Sequence, residues 1–150
     1  MTAKLYRGFD TKQEAGTLTN IWLASPRQPK DTIKNVHLSA DAWFAENFGV
    51  AARSSTIICS TDIAQAQTYA KNGCLMDIIP NPPYTLIYSP YVRDFLSCTV
   101  ETDASDSDVR SWLSDHDYVS TTDILTIPDN IKIEVMVYCR DFTGSIVKTC

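Results

Sequence analysis

Apolar residues in this chain recur in short runs separated by turn-forming residues. Lys4 to Gly8 (KLYRG) reads as a short strand closed by Gly8, and a polar turn through Gly16 leads to a second apolar run, Leu18 to Ala24. The next segment, Ser25-Pro26-Arg27-Gln28-Pro29, carries two prolines, which forbid helix and block sheet pairing. Ser39 to Phe48 predicts a helix, with Ser39 as N-cap, apolar mass at Ala42, Trp43 and Phe44, and Gly49 as the stop. Thr56 to Cys59 predicts a buried strand. Asp62 then caps a second helix, with Gln65 in capping-box spacing, a stripe of Ile63, Ala66 and Ala70, and Gly73 at its end. Strands follow at Cys74–Ile79 and Tyr84–Tyr88 around the Pro80-Asn81-Pro82-Pro83 turn. Thr99 to Asp108 reads as an acidic, serine-rich surface loop, with Ser105 capping a short helix that reaches Leu113. Ile131 to Tyr138 is the clearest late strand, and Gly144 predicts a turn before the run Ile146-Val147. Strands outnumber helices without regular alternation, which predicts an α+β fold. Neither a repeat nor a linker interrupts the sequence, so residues 1–150 read as one domain.

Composition narrows the function classes. A chain of 150 residues, 44% hydrophobic, is long enough to bury roughly 68–70% of its unfolded surface. Lys and Arg number 13 against 18 Asp and Glu, a net charge of −5. That balance excludes nucleic-acid binding by bulk charge, which needs clustered cations. No apolar run reaches the roughly 18 residues of a membrane helix, and MTAKLYRGFD lacks the apolar core of a secretory signal. The expectation is a cytoplasmic chain. Five scattered cysteines (59, 74, 98, 139 and 150) form no CxxC pair, which argues against a zinc site or a disulfide framework. Cys59, Cys74 and Cys139 lie in apolar runs and read as core thiols.

Three features carry candidate chemistry. Leu5-Tyr6-Arg7-Gly8 ends the first strand on an arginine; alone, this is an ordinary exposed strand end. Ile57-Ile58-Cys59-Ser60-Thr61-Asp62 delivers two hydroxyls at the end of a buried strand, where the plain alternative is helix capping. Ile133-Glu134-Val135-Met136-Val137 sets one carboxylate in an apolar strand, with Glu134 sharing a face with Met136 and Tyr138; a solvent-side glutamate is the alternative.

In this order the three resemble the Arg–Ser–Glu class of mono-ADP-ribosyltransferases, which includes cholera-like and pertussis-like toxins and phage-borne effectors. The matching stretches are Tyr6-Arg7-Gly8, Cys59-Ser60-Thr61-Asp62 with Ala66, Tyr69 and Ala70, and Glu134-Val135-Met136-Val137. The resemblance implies a compact fold of two small, mostly antiparallel sheets packed with short helices around an NAD cleft. It implies NAD as substrate, Glu134 and Arg7 as catalytic residues, and Arg7, Gly8, Arg27, Ser60 and Thr61 around the NAD. It further implies a macromolecular acceptor and no metal.

The chain also departs from that pattern. The third position of the serine motif is Asp62, and position 132 is Lys where arginine-modifying relatives carry an acid. The segment 25–31 is similar to the Arg-Pro-Pro stretch of cholera-like enzymes, so either Arg7 or Arg27 is the functional arginine, with Arg7 preferred. Asp94 and Asp117, the latter beside His116, compete with Glu134 as the acid. Asp103, Asp106 and Asp108 read as a solvated turn, since the glycine and distal glutamate of a calcium loop are missing. Tyr69, Trp43 and Tyr84 are the candidate stacking aromatics, each with an alternative place in the core or rim.

The chemistry accounts for these residue types. A guanidinium forks onto phosphate or ribose oxygens, and a carboxylate stabilises the oxocarbenium-like state in which the nicotinamide–ribose bond breaks. Three readings stay open: a transferase acting on a host or competitor macromolecule, an NAD glycohydrolase, and a non-catalytic acidic binding or inhibitor module. The first predicts that Arg7 or Arg27, Ser60-Thr61 and Glu134 converge on one groove between the sheets. Glu134→Gln, which loses no volume, is expected to leave stability unchanged.

Overall fold

The computed structural model describes residues 3–30, 32–71 and 73–148; Asp31 and Cys150 lie outside them. Within these residues the chain forms eight strands: β1 Leu5–Phe9, β2 Gly16–Thr19, β3 Ile57–Ser60, β4 Cys74–Pro80, β5 Thr85–Tyr88, β6 Val119–Thr121, β7 Glu134–Tyr138 and β8 Asp141–Lys148. The helices are α1 Lys34–Phe48, α2 Ala52–Ser55, α3 Ile63–Gln67, α4 Leu96–Glu101 and α5 Asp106–Asp115, with a 3-10 turn at Ile124–Thr126. No helix among the described residues is long and apolar enough to cross a membrane.

The α+β class holds, but the two expected sheets are joined into one. The strands form a single antiparallel sheet of order β2-β8-β4-β1-β3-β7-β5-β6. Its middle is pinched. β1 pairs with β4 over five residues, from Leu5 opposite Ile78 to Phe9 opposite Cys74, and β3 pairs with β7 over four. Between β1 and β3 the only aligned pair is Tyr6 opposite Ser60. The halves can therefore turn relative to each other, and the sheet curls over its own inner face. Leu5 of β1, Ile57 of β3, Met76 of β4, Leu86 of β5, Val135 of β7 and Phe142 of β8 all bury there, with no α-helical residue among them.

Helices cover the outer face. α1, α4 and α5 pack Phe44, Cys98 and Leu113 against Ile87 and Met136, and Ala66 and Ala70 at α3 pack on Tyr6 and Leu75. The middle of β7 is thus covered on both faces. Ile133, Val135 and Val137 lie in the inner core and Met136 under the helices.

Several local expectations shift. α1 starts five residues before Ser39, because the apolar spacing that seats it runs Val36, Ala40, Phe44; Ser39 is itself buried in the helix. Gly49 does end the helix, in the left-handed region at φ 74°. α3 stops at Gln67 rather than continuing to Gly73, and Ile63 is exposed while Ala66 faces the sheet. Asp62 caps α3 by accepting from the Ala64 N–H, but Gln65 does not close a capping box: its Nε2 donates to Asp94. Residues 96–101, half of them placed in the acidic loop, form α4. Ser105 caps α5 as anticipated, accepting from the Asp108 N–H. Gly144 is no turn. It lies inside the continuous β8, where its missing side chain leaves room for the Met76 methyl.

Gly8 has a comparable role with a harder neighbour. A Cβ there would stand 2.2 Å from the Ala66 carbonyl oxygen and 2.9 Å from the Ala70 nitrogen, so the α3 backbone rests directly on β1. Gly8→Ala is expected to cost stability in the overpacking range, about 1–3 kcal/mol. Gly144→Ala meets only the movable tip of Met76 and costs less; paired thermal melts of the two variants check the order. The thiols give a second test. Cys59, Cys74, Cys98 and Cys139 are buried and unbridged, and burial pushes Cys59, Cys98 and Cys139 up to about 12. In a Cys150→Ser chain, Ellman's reagent should therefore label none of the four until denaturant unfolds the protein.

Candidate active site

The pinch between β1 and β3 opens into a cavity of about 620 Å³, within the size range of small-molecule sites. Its wall takes Arg7 and Gly8 from β1, Trp22 and Arg27 from the segment after β2, and Arg53 from α2. Ser60 from β3 and Glu134 from β7 complete it. Residues separated by more than a hundred positions thus meet on one surface; the sequence reading placed Ser60, Glu134 and one of Arg7 or Arg27 there, and both arginines line it. Thr61 is not part of it. Its hydroxyl donates to the Ile131 carbonyl at 2.8 Å and accepts from the Ile133 N–H at 2.9 Å, tying the approach to β7 together with the bond from the Thr61 N–H to the Ile133 carbonyl at 3.0 Å. Ladder pairing accordingly begins at Glu134 rather than Ile131.

Each polar wall residue has a local reason for its place. Beyond the Tyr6–Ser60 pair, β1 and β3 part, and the Ile58 carbonyl accepts from Arg7 Nη1 at 2.7 Å rather than from a strand amide. The Arg7 guanidinium also lies 5.1 Å from the Phe9 ring centre. Burial pushes its pKa down. Ser60 is buried and stands opposite Glu134 in the β3–β7 ladder. Its hydroxyl accepts from the Asp62 N–H at 2.9 Å and donates to the Ile133 carbonyl at 3.3 Å.

Arg27 is held by its backbone, whose N–H donates to the Ser54 carbonyl at 2.8 Å, and by Nη1, which donates to the Arg53 carbonyl at 3.0 Å. The guanidinium stacks 4.5 Å from the Trp22 ring centre. Its Nη2 is buried with no hydrogen-bond partner among the described residues. Burial first, then the nearby charges of Arg7 and Arg53, push the Arg27 pKa down to about 9. Nothing in the sequence marks Arg53, yet it is the most buried cation at the site. Its Nη1 donates to Glu134 Oε1 at 2.7 Å, and the two side chains are 9% and 13% exposed. Its guanidinium lies 4.1 Å from the Phe95 ring centre.

The competing acids separate clearly. Asp94 lies on the cavity wall, where Oδ2 accepts from Gln65 Nε2 and the Tyr69 hydroxyl and Oδ1 caps the Leu96 N–H. Asp117 is not on the wall. Neighbouring His116 stacks on Trp112 at 3.9 Å and, through Nδ1, bonds the Trp112 carbonyl, a helix-end arrangement. Asp103 and Asp108 accept from the N–H groups of Ser105 and Asp103, bracing the turn before α5. Of the candidate aromatics only Tyr69 lines the cavity. Trp43 packs edge-on to Phe44 and Phe48, and the Tyr84 hydroxyl accepts from the Ile124 N–H. Trp22 is a wall aromatic that the sequence did not single out.

The electrostatics oppose the chain's overall charge. Arg7, Arg27, Lys30, Arg53 and Arg93 line the cavity against Asp10, Asp94 and Glu134. Glu134 is paired with Arg53, Asp10 with Lys30 at 2.8 Å and Arg93 with Asp62 at 4.0 Å, so Arg7 and Arg27 are the wall cations with no ion pair among the described residues. Burial lowers the pKa of His37, on the same wall, against the opposing pull of the Asp41 carboxylate. The arrangement suits a ligand with an anionic centre: two guanidiniums to meet it, one of them with an orphaned donor, and a carboxylate a strand away.

The Arg53–Glu134 pair revises the stability expected of Glu134→Gln. Neutralising the acid leaves a guanidinium buried without its counter-charge, and losing one partner of such a pair typically costs about 3–5 kcal/mol. Glu134→Gln should therefore lose stability in urea melts, up to that range. The double variant Arg53→Met/Glu134→Gln should recover part of the loss, a coupling that a double-mutant cycle measures.

No protein-family model, curated protein or solved structure matches this chain.

Proposed function

We propose that the chain is an NAD-dependent mono-ADP-ribosyltransferase, built on an ADP-ribosyltransferase-type arrangement of the two half-sheets. It cleaves the nicotinamide–ribose bond and passes ADP-ribose to a macromolecular acceptor inside a cell, as a small effector or toxin-like protein would. One observation carries the reading: Arg7, Arg27, Ser60 and Glu134 share a single cationic cavity in a chain whose net charge is −5.

Each residue has a task set by its surroundings. The orphaned Nη2 of Arg27 and the braced guanidinium of Arg7 take the pyrophosphate, giving charge-assisted bonds to oxygens that water would otherwise solvate. This divides between two arginines the role that the sequence left to either one. Ser60 holds the turn between β3 and α3 and sets Glu134 beside the ribose, since the two are cross-strand neighbours. Glu134 accepts a hydrogen bond from the ribose 2′-hydroxyl and stabilises positive charge as the C1′–N bond breaks. The bonding pair leaves with nicotinamide. The acceptor's nucleophile then bonds to C1′ and loses its proton. Water in place of that acceptor makes the same site an NAD glycohydrolase, the second reading. An acidic module that binds a basic partner through its net charge is disfavoured, because the cavity gathers cations. Lys132 is exposed and supplies no acid for an arginine acceptor, so the acceptor is not assigned to arginine.

The test is nicotinamide release from NAD, with and without cell extract. Wild type should release nicotinamide, with extract raising the transfer of labelled ADP-ribose to macromolecules. Glu134→Gln, assayed at a temperature where it is folded, should lose turnover by roughly 10²-fold or more while binding NAD nearly as before. Arg27→Ala and Arg7→Ala should weaken NAD binding, the loss growing at low salt where charge contacts count most. Wild-type turnover in Glu134→Gln with loss in Asp94→Asn would move the acid to Asp94.

A further inference from the structure

Resting on the transferase reading, we infer that Arg53 is the positioning residue of Glu134, fixing which carboxylate oxygen meets the ribose. Three contacts hold the guanidinium in one place. Nη1 bonds Glu134 Oε1 at 2.7 Å and meets Met136 Sδ at 3.4 Å, and the Phe95 ring lies 4.1 Å from the guanidinium carbon. The backbone is anchored as well. Asp41 of α1 accepts from the Arg53 N–H at 2.9 Å and the Ser54 N–H at 3.1 Å, and also from the Ser54 hydroxyl. A path of directed bonds thus runs from α1 through α2 to β7.

The consequence lies in the two carboxylate oxygens. Oε1 is committed to Arg53, whereas Oε2 meets the Phe95 N–H only at a long 3.5 Å. Oε2 is the oxygen left for the 2′-hydroxyl. A free glutamate has three rotatable bonds, and fixing Oε1 removes most of that freedom before substrate arrives. The ion pair also keeps the side chain from turning into the apolar layer around Met136. Arg53 lies on the cavity wall, but its Nη1 is spent on Oε1, so its assigned role is to act through Glu134.

The experiment measures nicotinamide release and NAD binding by calorimetry for full-length wild type, Arg53→Met and Arg53→Lys. Misplacing a reacting group by about 1 Å costs on the order of 10²-fold, and Arg53→Met should lower kcat by that order with KM and the NAD Kd within about threefold of wild type. Arg53→Lys should restore part of kcat, since an ammonium can still hold Oε1. A purely structural role would lower the folded fraction, counted by NAD-binding stoichiometry, and leave kcat per folded molecule unchanged. Phe95→Leu, which withdraws the ring beneath the guanidinium and keeps every charge, serves where Arg53→Met does not fold. It should lower kcat several-fold at constant KM. Wild-type kcat per folded molecule in these variants overturns the inference alone. A wild-type chain that releases no nicotinamide overturns the transferase reading and the inference with it.

Discussion

The meeting of β1 and β3 at one residue pair, Tyr6 with Ser60, is the constraint on which the rest of the molecule depends. A ladder of several pairs there would have fixed the two half-sheets in one plane and buried the strand edges. One pair permits the curl that closes the inner core, and it leaves the Ile58 carbonyl without a strand amide. Arg7 fills that vacancy with its side chain. A backbone group that must be satisfied thus draws a guanidinium to the seam, and the cavity forms where the ladder gives out.

The charges around the seam make a graded set. Arg53 is the most committed: to Glu134, to the Phe95 face and, through its backbone, to Asp41. Arg7 is half committed, and Arg27 keeps one nitrogen unsatisfied. Burying guanidiniums is costly unless each finds a partner. The pair at Arg53 meets that requirement within the fold, and the orphaned nitrogen of Arg27 leaves it to be met from outside. Structural and ligand-directed cations share the same few ångströms.

Much of this was legible in the sequence where a residue's type conflicts with its surroundings. Arg7 at a strand end, Ser60 after Ile57-Ile58-Cys59 and Glu134 before Val135-Met136-Val137 each place polarity in an apolar run, and all three reach the cavity. Helix boundaries were less legible, because the packing of Val36 against the sheet, rather than a capping serine, decides where α1 starts. Gly144 misleads for a related reason. A glycine that admits a neighbour's methyl looks in sequence like one that turns the chain. Arg53 was invisible because Ala52-Arg53-Ser54-Ser55 carries no periodicity and its partner lies 81 residues away. Thr61 shows the converse: the right residue type at the right spacing, with its hydroxyl spent on Ile131 and Ile133.

The contrast between an acidic exterior and a cationic interior bears on how quickly an anion is captured and how long it stays. At a distance the molecule presents a net charge of −5, so an approaching anion is first repelled. Screening over about 8 Å at physiological ionic strength removes most of that barrier. Inside the cavity the guanidiniums of Arg7 and Arg27 are partly shielded from solvent ions and hold their attraction better. Added salt therefore raises both rates unequally, speeding entry while shortening residence only weakly. The encounter is governed by the surface carboxylates, and the dwell time by two arginines that the surface hides.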